Sequence, residues 1–462
     1  MDINYSKKNN IVIHKILLFI FMFLAFLGIL VQSYEYSRVI SIYGFITYII
    51  IVIYYIKQLV KYQINLGITI FLIGSLFWFW KEILAMVLSP VLFENVADYS
   101  PFFTTQIPID ILSTSLLSIS IFNFFVYVIW SLLVSYKFSS KLFLIKERSK
   151  NNFLTESILL LFAILGWLPF LNQFGGFQES LTRLLLFRSE NIEIEPSLIN
   201  YLPVLSMMAA SFSIFRIVTK QSKYRYITLL TIIAGGLIAF LSGTRFKIVF
   251  LLLPSILTIL VLDGVKFSLK KKITLLSIIF SILIGVTFYQ IVNRYGDSSS
   301  NIVNYSVSSS VNGGDHFTAL THAIAISDEL DNYFYQPMFT LFISDFVPRM
   351  FWPNKPKSEF WEFYNDRLAL AGNLTPSVLG QYFLNWGVFG VFIAAFNFAL
   401  WCSVCDYLIP LYKESENFYF LWLAVVIITF LFLSFRVYSF NYFFYLLIAY
   451  FFGWFFTKSI RI

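Results

Sequence analysis

A succession of long apolar runs constrains this chain more than any other feature. The runs recur from Ile11 to Phe456, and many approach the roughly 20 apolar residues that a helix needs to cross a bilayer. They are continuous rather than alternating, which excludes a membrane β-barrel and argues for helices. The balance of 58% hydrophobic to 13% charged residues lies far from the half-apolar, quarter-charged norm of soluble domains. The expected fold class is all-α, a polytopic transmembrane bundle of about twelve spans. The candidate spans are Ile11–Val31, Val39–Ile56, Ile64–Trp80, Ile109–Val134, Phe153–Phe170, Ser197–Ile217, Tyr226–Leu241, Phe246–Leu262, Ile273–Val292, Leu379–Trp401, Phe418–Ser434 and Phe440–Phe456.

Charge orients these spans. Lys7 and Lys8 precede an apolar run too long for a cleavable signal, so the run reads as a first span with the N-terminus inside. Alternate loops then hold Lys57, Lys61, Lys137, Lys141, Lys146, Arg148, Lys150, Arg216, Lys220, Lys223, Arg225, Lys266, Lys270, Lys271, Lys272 and Lys413, with Lys458 and Arg461 at the end. Counting Lys15, that is 21 of the 33 basic residues on one side, as the positive-inside rule expects. The loop Ser89–Pro108 has no Lys or Arg and carries Glu94 and Asp98, so it reads as outside. Both termini are expected in the cytosol. The net charge of +8 is therefore topological, and no nucleic-acid partner is expected.

A second set of cations breaks the pattern, because Arg183, Arg188, Arg245, Lys247, Arg294, Arg349, Lys355, Lys357, Arg367 and Arg436 fall on the outer side. An anionic substrate held there would account for them. The outer segments are uneven, and the one from Asn293 to Pro376 is about 84 residues long. The chain thus divides into a bundle of spans 1–9 (residues 1–292), an extracytoplasmic loop subdomain (293–376) and spans 10–12 (377–462). Within the loop, Gly313-Gly314-Asp315 reads as a turn and N-cap, and Asp315–Tyr333 as an amphipathic helix.

Four motifs carry chemistry. In Leu241-Ser-Gly-Thr-Arg245-Phe-Lys247, a tight turn joins two apolar helices and Arg245 opens the second. Helix N-terminal amides and a guanidinium suit a pyrophosphate or a carboxylate, and an Arg snorkelling to lipid headgroups suits the same turn. In Asp345-Phe-Val-Pro348-Arg349-Met-Phe-Trp352-Pro353-Asn-Lys355-Pro356, prolines stiffen the backbone around two cations and an aromatic face suited to a sugar ring. The alternative is an aromatic-basic anchor lying on lipid. Asp315 and His322 share a helical face, and either His316 or His322 could take a proton from a hydroxyl. Capping and packing are the plainer roles for them. In Thr375-Pro-Ser377-Val-Leu-Gly380-Gln381-Tyr382-Phe-Leu-Asn385-Trp386-Gly387-Val-Phe-Gly390, glycines permit close helix approach. Gln381 and Asn385 share a face and could bind sugar hydroxyls or simply pack. Arg436 sits in the short outer turn before the last span. The Cys402–Cys405 pair reads as inert packing. No metal-ligand spacing, Walker loop or dinucleotide fingerprint occurs, so no metal or cofactor is expected.

The S-G-T-R turn, the loop ending in P-R-x-x-W-P-x-K-P and the following T-P-S-x-x-G-Q-Y-x-x-N-W-G-x-x-G together resemble the Wzy-type O-antigen and capsular polysaccharide polymerases, over roughly Tyr226 to Gly390. The resemblance implies a membrane glycosyltransferase of the GT-C-like kind in a bacterial inner membrane. It would extend an undecaprenyl-pyrophosphate-linked glycan at the outer face, without a cofactor, beside a chain-length regulator and a flippase. By that reading Arg245, Arg349 and Arg436 bind pyrophosphate, Lys355 assists, and Lys247, Arg294, Trp352, Gln381 and Asn385 line the substrate path. His316 or His322 would be the base. Many members of that family carry an acid where this chain has Gln381, so no acid–base role falls to it. An O-antigen ligase-like enzyme uses the same donor with another acceptor. A flippase or transporter of lipid-linked oligosaccharide would instead place charge in midspan.

Overall fold

The computed structural model describes residues 65–75, 78–79, 109–135, 153–180, 202–241, 245–262, 316–330, 377–435 and 441–457. Among the described residues the chain is all-helical. The helices are α1 (Leu66–Ser75), α2 (Ile109–Ser135), α3 (Phe153–Leu165), α4 (Leu168–Phe174), α5 (Leu202–Val218), α6 (Arg225–Leu241), α7 (Arg245–Val261), α8 (His316–Leu330), α9 (Val378–Ser415), α10 (Phe418–Ser434) and α11 (Asn441–Thr457). Three stretches, Leu117–Val134, Phe153–Phe174 and Val378–Ser415, are long and apolar enough to cross a membrane. The candidate spans Ile11–Val31, Val39–Ile56 and Ile273–Val292 lie outside the described residues.

The buried side chains form two connected clusters. One joins α3, α5, α6, α7, α10 and α11 around Phe212, Phe215 and Trp422. The other joins α1, α2, α8 and the first half of α9 around Phe71, Phe122 and Phe398. α9 and α10 contribute to both and tie the bundle together. Phe435, just after α10, closes the second cluster against Phe71, Phe79, Phe122 and Phe398. Large apolar side chains such as Leu161, Leu229, Leu230, Phe389, Phe396 and Phe451 remain exposed on the outside, as lipid-facing positions do.

The contacts sort helix ends into two groups. At one end, Phe215 near the close of α5 meets Trp422 near the start of α10 with ring centroids 5.1 Å apart. At the other, Phe250 near the start of α7 meets Phe430 near the close of α10 at 5.2 Å. α5 and α7 therefore each run antiparallel to α10. Pro254 inside α7 removes the N–H that would serve the Phe250 carbonyl. The Ser211 hydroxyl of α5 lies 3.5 Å from that oxygen and donates to it.

Three features add to these expectations. Arg216 is not a solvated loop cation. It is buried in α5 and pairs with Glu156 of α3 at 3.0 Å, while Thr228 of α6 donates to the same carboxylate at 3.0 Å. Burial of a charge requires such pairing, and the cluster fastens three helices at one end. The helix that covers the candidate span Leu379–Trp401 continues beyond it to Ser415. The apolar run ends before the helix does, since Asp406 has partners that allow it to be buried. Finally, the helix expected over Asp315–Tyr333 is present as α8 and is packed into the bundle. His316, Ala319, Leu320, Thr321, Ala323, Ile324, Ile326 and Ser327 of α8 are all buried, because small and apolar residues occupy most of its circumference and let α2 and α9 close on it.

Candidate functional site

The site is built where α7, α8 and α9 begin and α10 ends. α6 closes at Leu241 and α7 opens at Arg245, so only Ser242, Gly243 and Thr244 separate them. The first amides of a helix lack intrahelical acceptors and carry partial positive charge. Arg245 stands at that N-terminus, and Lys247, two residues on, is half-buried. Arg294, Arg349, Trp352, Lys355 and Arg436 lie outside the described residues.

His316 opens α8 and is 4% exposed. Its ring meets Trp78 edge-on at 4.7 Å. The Trp78 indole N–H donates to the Phe432 carbonyl at 2.9 Å, one of the orphan acceptors at the close of α10. His316 is thus held against the end of α10 by an aromatic that caps it. His322 lies six residues further along, roughly 120° around the helix from His316, so the two imidazoles face different neighbours. Burial lowers the His322 pKa below its ordinary 6.5, which keeps the ring neutral and able to accept a proton at neutral pH. Asp315 lies outside the described residues.

α9 begins beside them. Ser377 caps it by accepting from the Gly380 amide at 3.1 Å, and the Val378 amide donates to the Phe435 carbonyl at 3.2 Å. That bond fastens the residue before Arg436 to the start of α9. Gly380 packs against Ala319 and Ala323 of α8, so α8 and α9 touch through small residues. Gln381 and Asn385 are both buried, and the Asn385 Nδ2 donates to the Gln381 carbonyl at 2.9 Å. In this conformation neither forms an open hydroxyl-binding face.

α9 then breaks. Trp386 (φ −144°, ψ 18°) and Gly387 (φ 58°, ψ −144°) leave the helical basin. The Gly387 combination is open essentially to glycine alone. Past the break the chain passes so close to the earlier turn that a Cβ on Gly390 would collide with the Tyr382 carbonyl. Asn397 Nδ2 donates to the Tyr382 hydroxyl at 3.2 Å, which fixes the first segment alongside the second.

Nothing in the residue order marks Asp406. Its carboxylate accepts from the Gly67 amide at 2.7 Å, the Ile68 amide at 3.3 Å and the Trp130 indole at 2.9 Å. It caps α1 from across the bundle, at the end away from His316. Cys402 and Cys405 are buried free thiols. Among the described residues, no cluster of His, Cys, Asp and Glu could hold a metal ion. Compared with known proteins, the chain matches no family model, no curated protein and no solved structure.

Proposed function

We propose that the protein is a membrane glycosyltransferase that polymerises lipid-linked oligosaccharide repeat units at the outer face of a bacterial cytoplasmic membrane. The observation that carries this reading is the placement of cations. A pyrophosphate leaving group demands positive charge, and the expected topology puts twelve of the 33 basic residues, Arg38 and Lys81 among them, on the outer side. Contacts among the described residues support it by drawing the start of α7, which opens at Arg245, to the same end of the bundle as His316, Val378 and Phe435.

In the proposed reaction these groups take the following parts. A hydroxyl on the incoming repeat unit attacks the anomeric carbon of the growing glycan. The bond from that carbon to the pyrophosphate oxygen breaks as the new glycosidic bond forms. The hydroxyl proton passes to a neutral imidazole, His316 or His322. The displaced undecaprenyl pyrophosphate keeps the bonding pair, and its charge is met by Arg245, with Arg349, Arg436 and Lys355 as further partners and Lys247 and Arg294 nearby. The energy comes from the pyrophosphate ester, so the step needs no nucleotide sugar.

The test is purified protein incubated with lipid-linked repeat units and no lipid A core. A gel ladder of increasing repeat number is the expected product. Transfer seen only when a lipid A core acceptor is added would assign the protein to the ligases instead.

A further inference from the structure

The turn between α5 and α6 holds three cations that the fold itself does not use. Lys220, Lys223 and Arg225 are all exposed. Among the described residues no carboxylate pairs with any of them, because Glu156, the acid beneath the turn, is buried and committed to Arg216 and Thr228. The positive-inside pattern explains why cations lie on this side, but not their setting. The first turn of α6 holds no acid, and Arg225 opens it, where the helix dipole disfavours positive charge. A bound anion would reverse that penalty.

The turn is built rather than loose. The Gln221 and Ser222 amides both donate to the Arg216 carbonyl, at 2.8 and 3.3 Å. The Arg216 guanidinium donates to the Gln221 carbonyl at 3.3 Å, and the Ser222 and Thr228 hydroxyls share a bond of 2.6 Å. Lys220 takes the left-handed conformation (φ 59°) at the position past a helix end that glycine usually fills. A lysine there keeps its charge on the turn despite the strain. Aromatic side chains stand among the charges. Tyr224 and Tyr226 alternate with Lys223 and Arg225, and Tyr226 is 87% exposed. The Tyr224 ring meets that of Phe153, at the start of α3, at 5.4 Å, and Phe153 and Leu154 are exposed as well. Tyrosines in such a position suit the headgroup level of a bilayer.

We propose that the α5–α6 turn is a binding site for the headgroup of an anionic phospholipid. Lys220, Lys223 and Arg225 meet the phosphate, while Tyr224, Tyr226 and Phe153 lie along the glycerol and the upper acyl chains. The bound lipid bears on the Glu156–Arg216 pair directly beneath the turn, and so stabilises the junction of α3, α5 and α6. The site does not depend on the polymerase reading, only on the chain lying in a membrane.

The experiment titrates the purified full chain, in neutral detergent, with phosphatidylglycerol, phosphatidylcholine or glycerol 1-phosphate. Native mass spectrometry counts what binds, and thermal melting follows stability. Phosphatidylglycerol should bind and raise the melting temperature. Phosphatidylcholine should bind more weakly, and glycerol 1-phosphate, which has no acyl chains, should not bind. Lys223→Gln and Arg225→Gln should each weaken phosphatidylglycerol binding about fivefold, the share of one cation at a membrane surface. Lys220→Gly removes a charge but relieves the left-handed strain, so its lipid-free melting temperature should hold or rise while binding falls to a similar degree. Lys413→Gln is the control. Lys413 is exposed on the same side, but Glu414 and Glu416 flank it, and its loss should leave binding unchanged. The site is overturned if the three turn variants bind phosphatidylglycerol as the wild type does, or if phosphatidylcholine binds equally well. It is also overturned if Lys413→Gln costs as much as the turn variants, since bulk charge alone would then attract the lipid. Equal binding of glycerol 1-phosphate would make the turn a site for a soluble phosphate instead.

Discussion

Removing the Asp406 carboxylate should loosen the bundle far from the candidate chemistry. In Asp406→Ala, three buried donors lose their acceptor: the amides of Gly67 and Ile68 and the Trp130 indole N–H. At roughly 1–3 kcal/mol per orphaned donor, the loss is about 5 kcal/mol. Asp406→Asn has the same shape but only one acceptor atom. Turning its oxygen to serve Ile68 and Trp130 sets its NH2 against the Gly67 amide, so at least one bond is lost, at about 1–3 kcal/mol. Trp130→Phe leaves both backbone donors in place and should cost about 1 kcal/mol. The expected order of destabilisation is Asp406→Ala, then Asp406→Asn, then Trp130→Phe. With about 2 °C of melting temperature per kcal/mol for a large chain, the first variant should melt on the order of 10 °C lower. Fluorescence-detected thermal melting in detergent reads this directly. The Asp406 and Trp130 substitutions should be non-additive, since they share a bond. An unchanged melting temperature in Asp406→Ala would refute the capping argument. Retained stability with lost polymer in Asp406→Asn would give Asp406 a chemical role instead.

Other consequences are equally open to measurement. Arg216→Leu leaves Glu156 buried without its cation, and the expected loss is about 3–5 kcal/mol. The double variant Glu156→Leu with Arg216→Leu should recover most of it, as thermal melting would reveal. Gly390→Ala sets a methyl against the Tyr382 carbonyl, and a backbone clash of this sort costs about 1–3 kcal/mol or more, so the yield of folded protein in size-exclusion profiles should fall. Because burial holds the folded-state pKa of His322 below 6.5, the unfolded chain binds more protons below that pH. The His322 contribution to stability is therefore complete above about pH 6.5 and lost progressively as pH falls below it. His322→Leu should flatten this part of a melting-temperature curve against pH.

The apolar runs make several helices legible from residue order alone. α10 matches the candidate span Phe418–Ser434 because polar residues bound the run at both ends. α6 and α7 match because Arg225 and Arg245 mark their starts. What residue order hides depends on partners distant in sequence. Nothing near Asp406 announces that it caps a helix 339 residues earlier, so hydropathy does not show that the helix runs on past Trp401. Arg216 reads as a loop charge because Glu156 lies 60 residues away on another helix. The glycines of α9 suggest close helix approach, and Gly380 does meet α8 in that way. Gly387 instead permits a backbone geometry, which spacing alone does not distinguish. The helical pattern of α8 is visible in its residues, but its burial requires α2 and α9 to close on both sides.

In the proposed polymerase, cations on the outer side gather a lipid-borne diphosphate, and Arg245 offers the sharpest test. Polymer length on gels should be compared between wild type, Arg245→Ala and Arg245→Lys at matched membrane expression. No polymer is expected from Arg245→Ala and little recovery from Arg245→Lys, since an ammonium cannot reproduce the two-pronged guanidinium grip. Chains of normal length from Arg245→Ala would contradict it and leave Arg245 as a headgroup anchor.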